Sequence, residues 1–157
     1  MKAGAESVWD YPRPPRIEAS SRRVRVIHAG IVVADTTSAF RVLETSQAPA
    51  WYVPPNDVDL TLVAQSTTMT FCEWKGTATH WALDVEGQIV EDAAWSYGRP
   101  TPPFAPLTGY LAFYPARVDE CWVDDERAAP MPGSVYGGWI TSEVTGPFKG
   151  GPGTAHW

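Results

Sequence analysis

Fifteen prolines are spread through 157 residues, from Pro12 to Pro152, and they constrain this chain more than any other feature. Each holds φ near about −65°, offers no N–H, and pushes the residue before it toward extended backbone. A bundle of long helices is thereby excluded, and short strands closed by proline or glycine become the natural elements. Aromatic residues reach 12%, with eight tryptophans, while charged residues fall to 19%, against a usual share of about 25%. Disordered chains show the opposite balance. One packed domain is expected, large enough to bury roughly 68–70% of its unfolded-state surface.

Hairpin grammar recurs along the chain. Arg23–His28 alternates polar and apolar residues, Ala29-Gly30 can turn, and Ile31–Ala34 is β-branched. Thr79–Val85, Glu86-Gly87 and Gln88–Trp95 repeat the pattern, with Trp81, Leu83 and Val85 on one face. Cys121–Val123, Asp124-Asp125 and Glu126-Arg127 give a shorter version. Phe40–Glu44, Ala50–Val53 and Tyr110–Tyr114 read as further strands, the last two closed by Pro54-Pro55 and Pro115. Asn56-Asp57 is expected to cap a helical turn over Val58–Val63, and Pro106–Gly109 to hold another. The expected fold is mostly β, a small antiparallel two-sheet or barrel-like domain with one or two short helical turns. Residues 1–22 read as an extended proline-rich arm, 23–132 as the β domain, and 133–157 as a glycine- and proline-rich tail. That tail packs on the domain or extends from it.

The formal net charge is −6. Arg22, Arg23 and Arg25, with Arg13 and Arg16 before them, form too short a basic stripe to hold nucleic acid through phosphates. No apolar stretch resembles a signal peptide or a membrane span. A cytoplasmic protein is expected, a monomer or small homo-oligomer without nucleic-acid or membrane partners. Its two cysteines, Cys72 and Cys121, should then be free thiols.

The residues that could carry chemistry cluster in Thr70-Phe71-Cys72-Glu73-Trp74-Lys75-Gly76. Lys75 is the only lysine between Lys2 and Lys149. A thiol three residues from a lysine could be an activated nucleophile, or the lysine could hold an anion as a point charge. The alternative is a buried structural cysteine beside a turn lysine, with Gly76 supplying positive φ. Arg41, in an otherwise apolar strand, could clamp an anion or pair with Glu44. Asp57 and Asp59 have the spacing of a magnesium carboxylate pair, but Asp57 is more simply a cap. Trp74, Trp81, Trp95, Tyr97, Trp122 and Trp139 could line an aromatic cage or simply fill the core. No Cys-x-x-Cys exists, and His28, His80 and His156 lack ligand spacing, so neither metal nor cofactor is expected. Gly137-Gly138 does not match a phosphate loop.

Several of these segments together resemble the bacterial domain-of-unknown-function 427 family. They are Arg41–Glu44, Trp51–Pro55, Thr70–Gly76, Val90–Tyr97 and Phe113–Pro115 followed by Val118-Asp119. The resemblance runs over about residues 23–128. It implies a β-tent-like fold, two antiparallel sheets leaning together, and it carries the label of a nucleotidyltransferase-type domain. The paired Cys-x-x-Cys motifs that hold zinc in some β-tent folds are missing, as is the Gly-Ser and strand-carboxylate pattern of well-known nucleotidyltransferases.

The expected function is a pocket for a nucleotide-like or other anionic planar molecule. Arg41 and Lys75 would hold the anion, Glu44 would orient Arg41, and Tyr52, Trp74 and Tyr97 would line the planar part. Cys72 would be a wall thiol. Two alternatives stand beside it. One is an enzyme, using Cys72 with Lys75 as catalytic residues or transferring a nucleotidyl group at Asp57 and Asp59. The other is a non-catalytic interaction module built on exposed aromatics of the arm and tail.

Overall fold

A computed structural model describes residues 5–134, 136–151, 153, 154 and 157; His156 lies outside the described residues. The strands are β1 (Glu6–Ser7), β2 (Arg16–Ala19), β3 (Val24–His28), β4 (Ile31–Thr36) and β5 (Phe40–Leu43). Next come β6 (Ala50–Val53), β7 (Val63–Cys72), β8 (Gly76–Val85), β9 (Gln88–Ser96) and β10 (Leu111–Phe113). The last are β11 (Glu120–Val123), β12 (Glu126–Arg127), β13 (Ala129–Pro130), β14 (Trp139–Ile140) and β15 (Val144–Thr145). Seven of them form one antiparallel sheet in the order β2-β5-β6-β10-β9-β8-β7, and four form a second, β12-β11-β3-β4. The fold is mostly β, and among the described residues no barrel closes.

Side-chain alternation divides the larger sheet into two faces. Trp51 and Val53, Leu111 and Phe113, Ala94 and Leu83 pack against Val24, Val26, Val33 and Val123 of the smaller sheet. This is the main core. Val42, Tyr52, Ala78, Trp95, Tyr97 and Ala112 belong to a second cluster on the opposite face, which the smaller sheet does not cover. That face carries the candidate site.

The three expected hairpins form, with tight turns at Ala29–Gly30, Glu86–Gly87 and Asp124–Asp125. Between the first two, the structure differs from the sequence reading. The Val58–Val63 segment holds only a 3-10 turn, Leu60–Leu62, and its cap is Asp59, whose carboxylate accepts from the Thr61 amide at 3.1 Å. Asp57 instead accepts from the Thr36 hydroxyl at 2.6 Å. The chain then enters β7, a ten-residue strand the sequence pattern conceals. It is an edge strand, so residues such as Gln65, Ser66 and Thr67 carry no buried apolar alternation. A register shift between Gln65 and Met69 accommodates Ser66 and Thr68, whose hydroxyls donate to the Asp92 carboxylate at 2.6 and 2.8 Å.

The described parts of the N-terminal segment and of the tail are knitted into the domain. Arg16–Ala19, within the proline-rich segment, is the outer strand of the larger sheet beside β5. Glu6 and Ser7 run parallel to Val144 and Thr145, so the N-terminal segment pairs directly with the tail. Val8, Tyr11, Leu43, Ala48, Met131 and Val144 form a third apolar cluster beneath them. Trp139 is the anchor of the tail: it is fully buried, and its indole N–H donates to the Phe113 carbonyl at 3.0 Å.

Candidate functional site

The uncovered face of the larger sheet holds a cleft of about 660 Å³, within the roughly 300–1,000 Å³ range of small-molecule sites. Its floor is a run of aromatic rings supplied by β6, β9 and the residues just after β9 and β10. Trp95 meets Tyr52 edge-on at 5.9 Å and donates its indole N–H to the Tyr52 hydroxyl at 3.0 Å. Tyr114 lies 4.6 Å from Trp95, and Tyr97 lies 6.4 Å from Tyr52. Burial raises the pKa of all three tyrosines, so at neutral pH their hydroxyls keep their protons.

One rim is the tip of the β7–β8 hairpin. Glu73, Trp74 and Lys75 form the loop, and Gly76 closes it at φ 105°, a left-handed geometry suited to glycine. Thr101 pins this tip twice: its amide donates to the Lys75 carbonyl at 3.0 Å, and its hydroxyl donates to the Trp74 carbonyl at 2.6 Å. The result is a lysine folded inward rather than out into solvent. Lys75 is only 6% exposed. Its Nζ is 3.7 Å from Glu44 Oε1, and it lies 5.9 Å from the Tyr97 ring and 5.7 Å from the Phe104 ring. A cation held this far from water, with one carboxylate at longer than hydrogen-bond distance, keeps much of its capacity to bind an anion.

The other rim comes from the tail, through Tyr136, Gly137, Gly138 and Lys149. Side chains are excluded at the two glycines. A Cβ on Gly137 would overlap the Trp95 ring, and one on Gly138 would overlap the Ala48 carbonyl and lie 2.8 Å from Met131 Sδ. The pair therefore serves close packing against the cleft wall. Lys149 stands over the Tyr136 ring at 4.9 Å.

Glu44, Tyr52, Cys72, Trp74, Lys75 and Tyr97, expected from sequence as one site, all line this cleft. Arg41 does not. Its side chain leaves the opposite face of β5 and pairs with Glu18 at 2.6 Å and with Glu6 at 3.0 Å. Glu44 consequently does not orient Arg41; its partner is Lys75. Asp57 and Asp59 also lie away from the cleft, occupied with Thr36 and Thr61 as described. Of the other candidate cage residues, Trp95 is in the floor. Trp81 donates to Ser96 at 2.9 Å, Trp122 faces Arg25 at 5.4 Å, and Trp139 is core. Cys121 is buried and its thiol is pushed well up by desolvation, whereas Cys72 is partly exposed at the cleft.

Sequence reasoning missed the contributions of Thr70, Tyr114 and the tail. Thr70 brings a buried histidine to the wall: His80 Nε2 is 2.8 Å from the Thr70 hydroxyl, and the His80 ring stacks on Tyr114 at 6.3 Å. Its Nδ1 is buried without a hydrogen-bond partner among the described residues, and burial lowers the pKa of the ring below 6.5. The sign follows directly. The unfolded chain takes up a proton as pH falls through about 6.5, while folded His80 resists, so acid destabilises the fold. Urea unfolding at pH 7.5 and 5.5 should show a loss of stability on acidification that is smaller in His80→Gln. An equal loss in both proteins would contradict this assignment.

The fold is a small, mostly β domain whose larger sheet carries a cleft of small-molecule size. A family model described as Domain of unknown function (DUF427) matches residues 16–124, and the chain belongs to this family. That match includes β2 through most of the third hairpin, and with them the floor of the cleft and its lysine rim. No curated protein matches the chain. Among the described residues, no helix is long and apolar enough to cross a membrane.

Proposed function

We propose that this domain binds a small planar anion, with a nucleotide-like molecule as one member of that class. The observation that carries the reading is the position of Lys75, a desolvated ammonium set beside an aromatic floor. Planar groups gain from stacking on such rings, and a buried cation adds charge-assisted hydrogen bonding that water does not compete away. Lys75 and Lys149 now supply the positive charge that the sequence reading shared between Lys75 and Arg41. Glu44 holds the Lys75 ammonium in the cleft until an anion approaches.

The family label names a nucleotidyl transfer, and Cys72 lies on the same wall as Lys75. A catalytic reading rests on that proximity. A metal-assisted transfer at Asp57 and Asp59 has no support in the geometry, because neither carboxylate reaches the cleft. Binding is therefore the better-supported function.

Matched probes test it. Adenosine 5′-monophosphate should bind more tightly than adenosine, and N-acetyl-phenylalanine more tightly than its amide, in calorimetric titration. Each preference should be roughly ten-fold or more, as expected for a hydrogen bond to a charged group. No preference for the charged member of either pair would overturn the proposal.

A further inference from the structure

The cleft adjoins a second, apolar groove of about 900 Å³. Glu73 and Trp74 line both spaces, so the hairpin tip is their common wall. Five prolines line the groove: Pro12, Pro14 and Pro15 from the N-terminal segment, and Pro103 and Pro106 from the 3-10 turn Pro102–Leu107. Phe40 and Phe104 add aromatic surface. Proline has no N–H to donate, so this wall is poor in the main-chain donors that an extended peptide requires. An alkyl chain needs none. Phe104 also ties the two spaces together: its ring is 5.7 Å from Lys75 Nζ, while the Tyr97 ring in the cleft is 5.9 Å from the same atom. The buried ammonium thus stands at the junction between an aromatic cleft and an apolar groove.

Building on the planar-anion reading of the cleft, we propose that the ligand has three parts in a fixed order: planar group, central anion and apolar chain. The planar group lies on the Tyr52 and Tyr97 side, the anion meets Lys75, and the chain runs past Trp74 into the proline-lined groove. The chemical class is an anionic conjugate of an acyl or other alkyl chain with an aromatic or heterocyclic group.

N-acyl-L-phenylalanines place a carboxylate between ring and chain and serve as the probe. Acetyl, butanoyl, hexanoyl and octanoyl members should bind with affinity rising roughly three- to four-fold per added methylene until the groove fills. Ala19 and Pro103 are exposed residues that line only the groove. Ala19→Asp and Pro103→Asp should therefore flatten the series while leaving the affinity for N-acetyl-phenylalanine unchanged. A flat series in the wild-type protein would overturn the groove assignment alone, provided that N-acetyl-phenylalanine still binds better than its amide. So would a rise that survives both substitutions. Acids and amides that bind equally tightly at every chain length would overturn the central anion, and with it the reading of the cleft.

Discussion

Replacing Trp139 by alanine should destabilise the domain by about 3–5 kcal/mol, the usual cost of truncating a large buried aromatic side chain. For a chain of this length that corresponds to a fall in Tm of about 6–20 °C. The size of the effect follows from the position of this residue. Its indole is 1% exposed, belongs to the main core, and lies 6.4 Å from Trp51. Its amide donates to the Pro49 carbonyl at 2.8 Å, and its ring N–H to the Phe113 carbonyl at 3.0 Å. Trp139→Phe separates the two contributions. It keeps most of the apolar surface and strands a buried carbonyl, so it should cost about 1–3 kcal/mol. Chemical denaturation of the three proteins is the measurement. A Trp139→Ala variant within 1 kcal/mol of wild type would mean that the tail is not part of the cooperative fold. Because residues 136–138 precede this anchor in the chain, loosening it should also widen the cleft.

Lys75→Met should have the converse profile, a large loss of binding with little loss of stability. The Glu44–Lys75 separation of 3.7 Å is longer than a strong charge-assisted bond, and the Glu44 side chain retains 21% exposure. Glu44 can therefore be partly resolvated when its partner is removed, and the change in stability should stay well below the roughly 3–5 kcal/mol of breaking a fully buried pair. Binding of adenosine 5′-monophosphate should fall roughly 10- to 150-fold, because a charged hydrogen bond contributes about 1.5–3 kcal/mol. Adenosine, which lacks the anion, should bind equally to both proteins. The Glu44→Gln/Lys75→Met double variant removes both charges and controls for an unpaired carboxylate. Titration of the three proteins with the two probes checks the prediction. Equal affinity of wild type and Lys75→Met for the anion would show that Lys75 does not contact it.

The hairpins were legible because half-buried strands write alternation into the sequence, and Glu86-Gly87 or Ala29-Gly30 mark their turns. The site was legible where rare residue types coincide, at Cys72, Trp74 and Lys75 in one hairpin tip. Arg41 was misread for a reason the pattern itself contains. Arg41 and Glu44 are three apart in extended chain, so they leave opposite faces. Val42 and Glu44 share the cleft face, which sends Arg41 to Glu6 and Glu18 on the other side. Strand β7 escaped because an edge strand buries too little to show alternation. The second rim was hidden for another reason: Gly137 and Gly138 signal close backbone approach, but no local feature names Trp95 or Ala48 as the surface approached. Long-range packing of this kind connects residues some forty or ninety positions apart, and only the folded chain displays it.

The central claim is that an aromatic floor and one buried lysine form a single ligand site. A crystal structure of the protein soaked with adenosine 5′-monophosphate tests it most directly. The expected result is the planar base against Tyr52 and Tyr97, with a phosphate oxygen within hydrogen-bond distance of Lys75 Nζ. The nucleotide bound only at another surface, or a cleft that stays empty at saturating concentration, would contradict the claim.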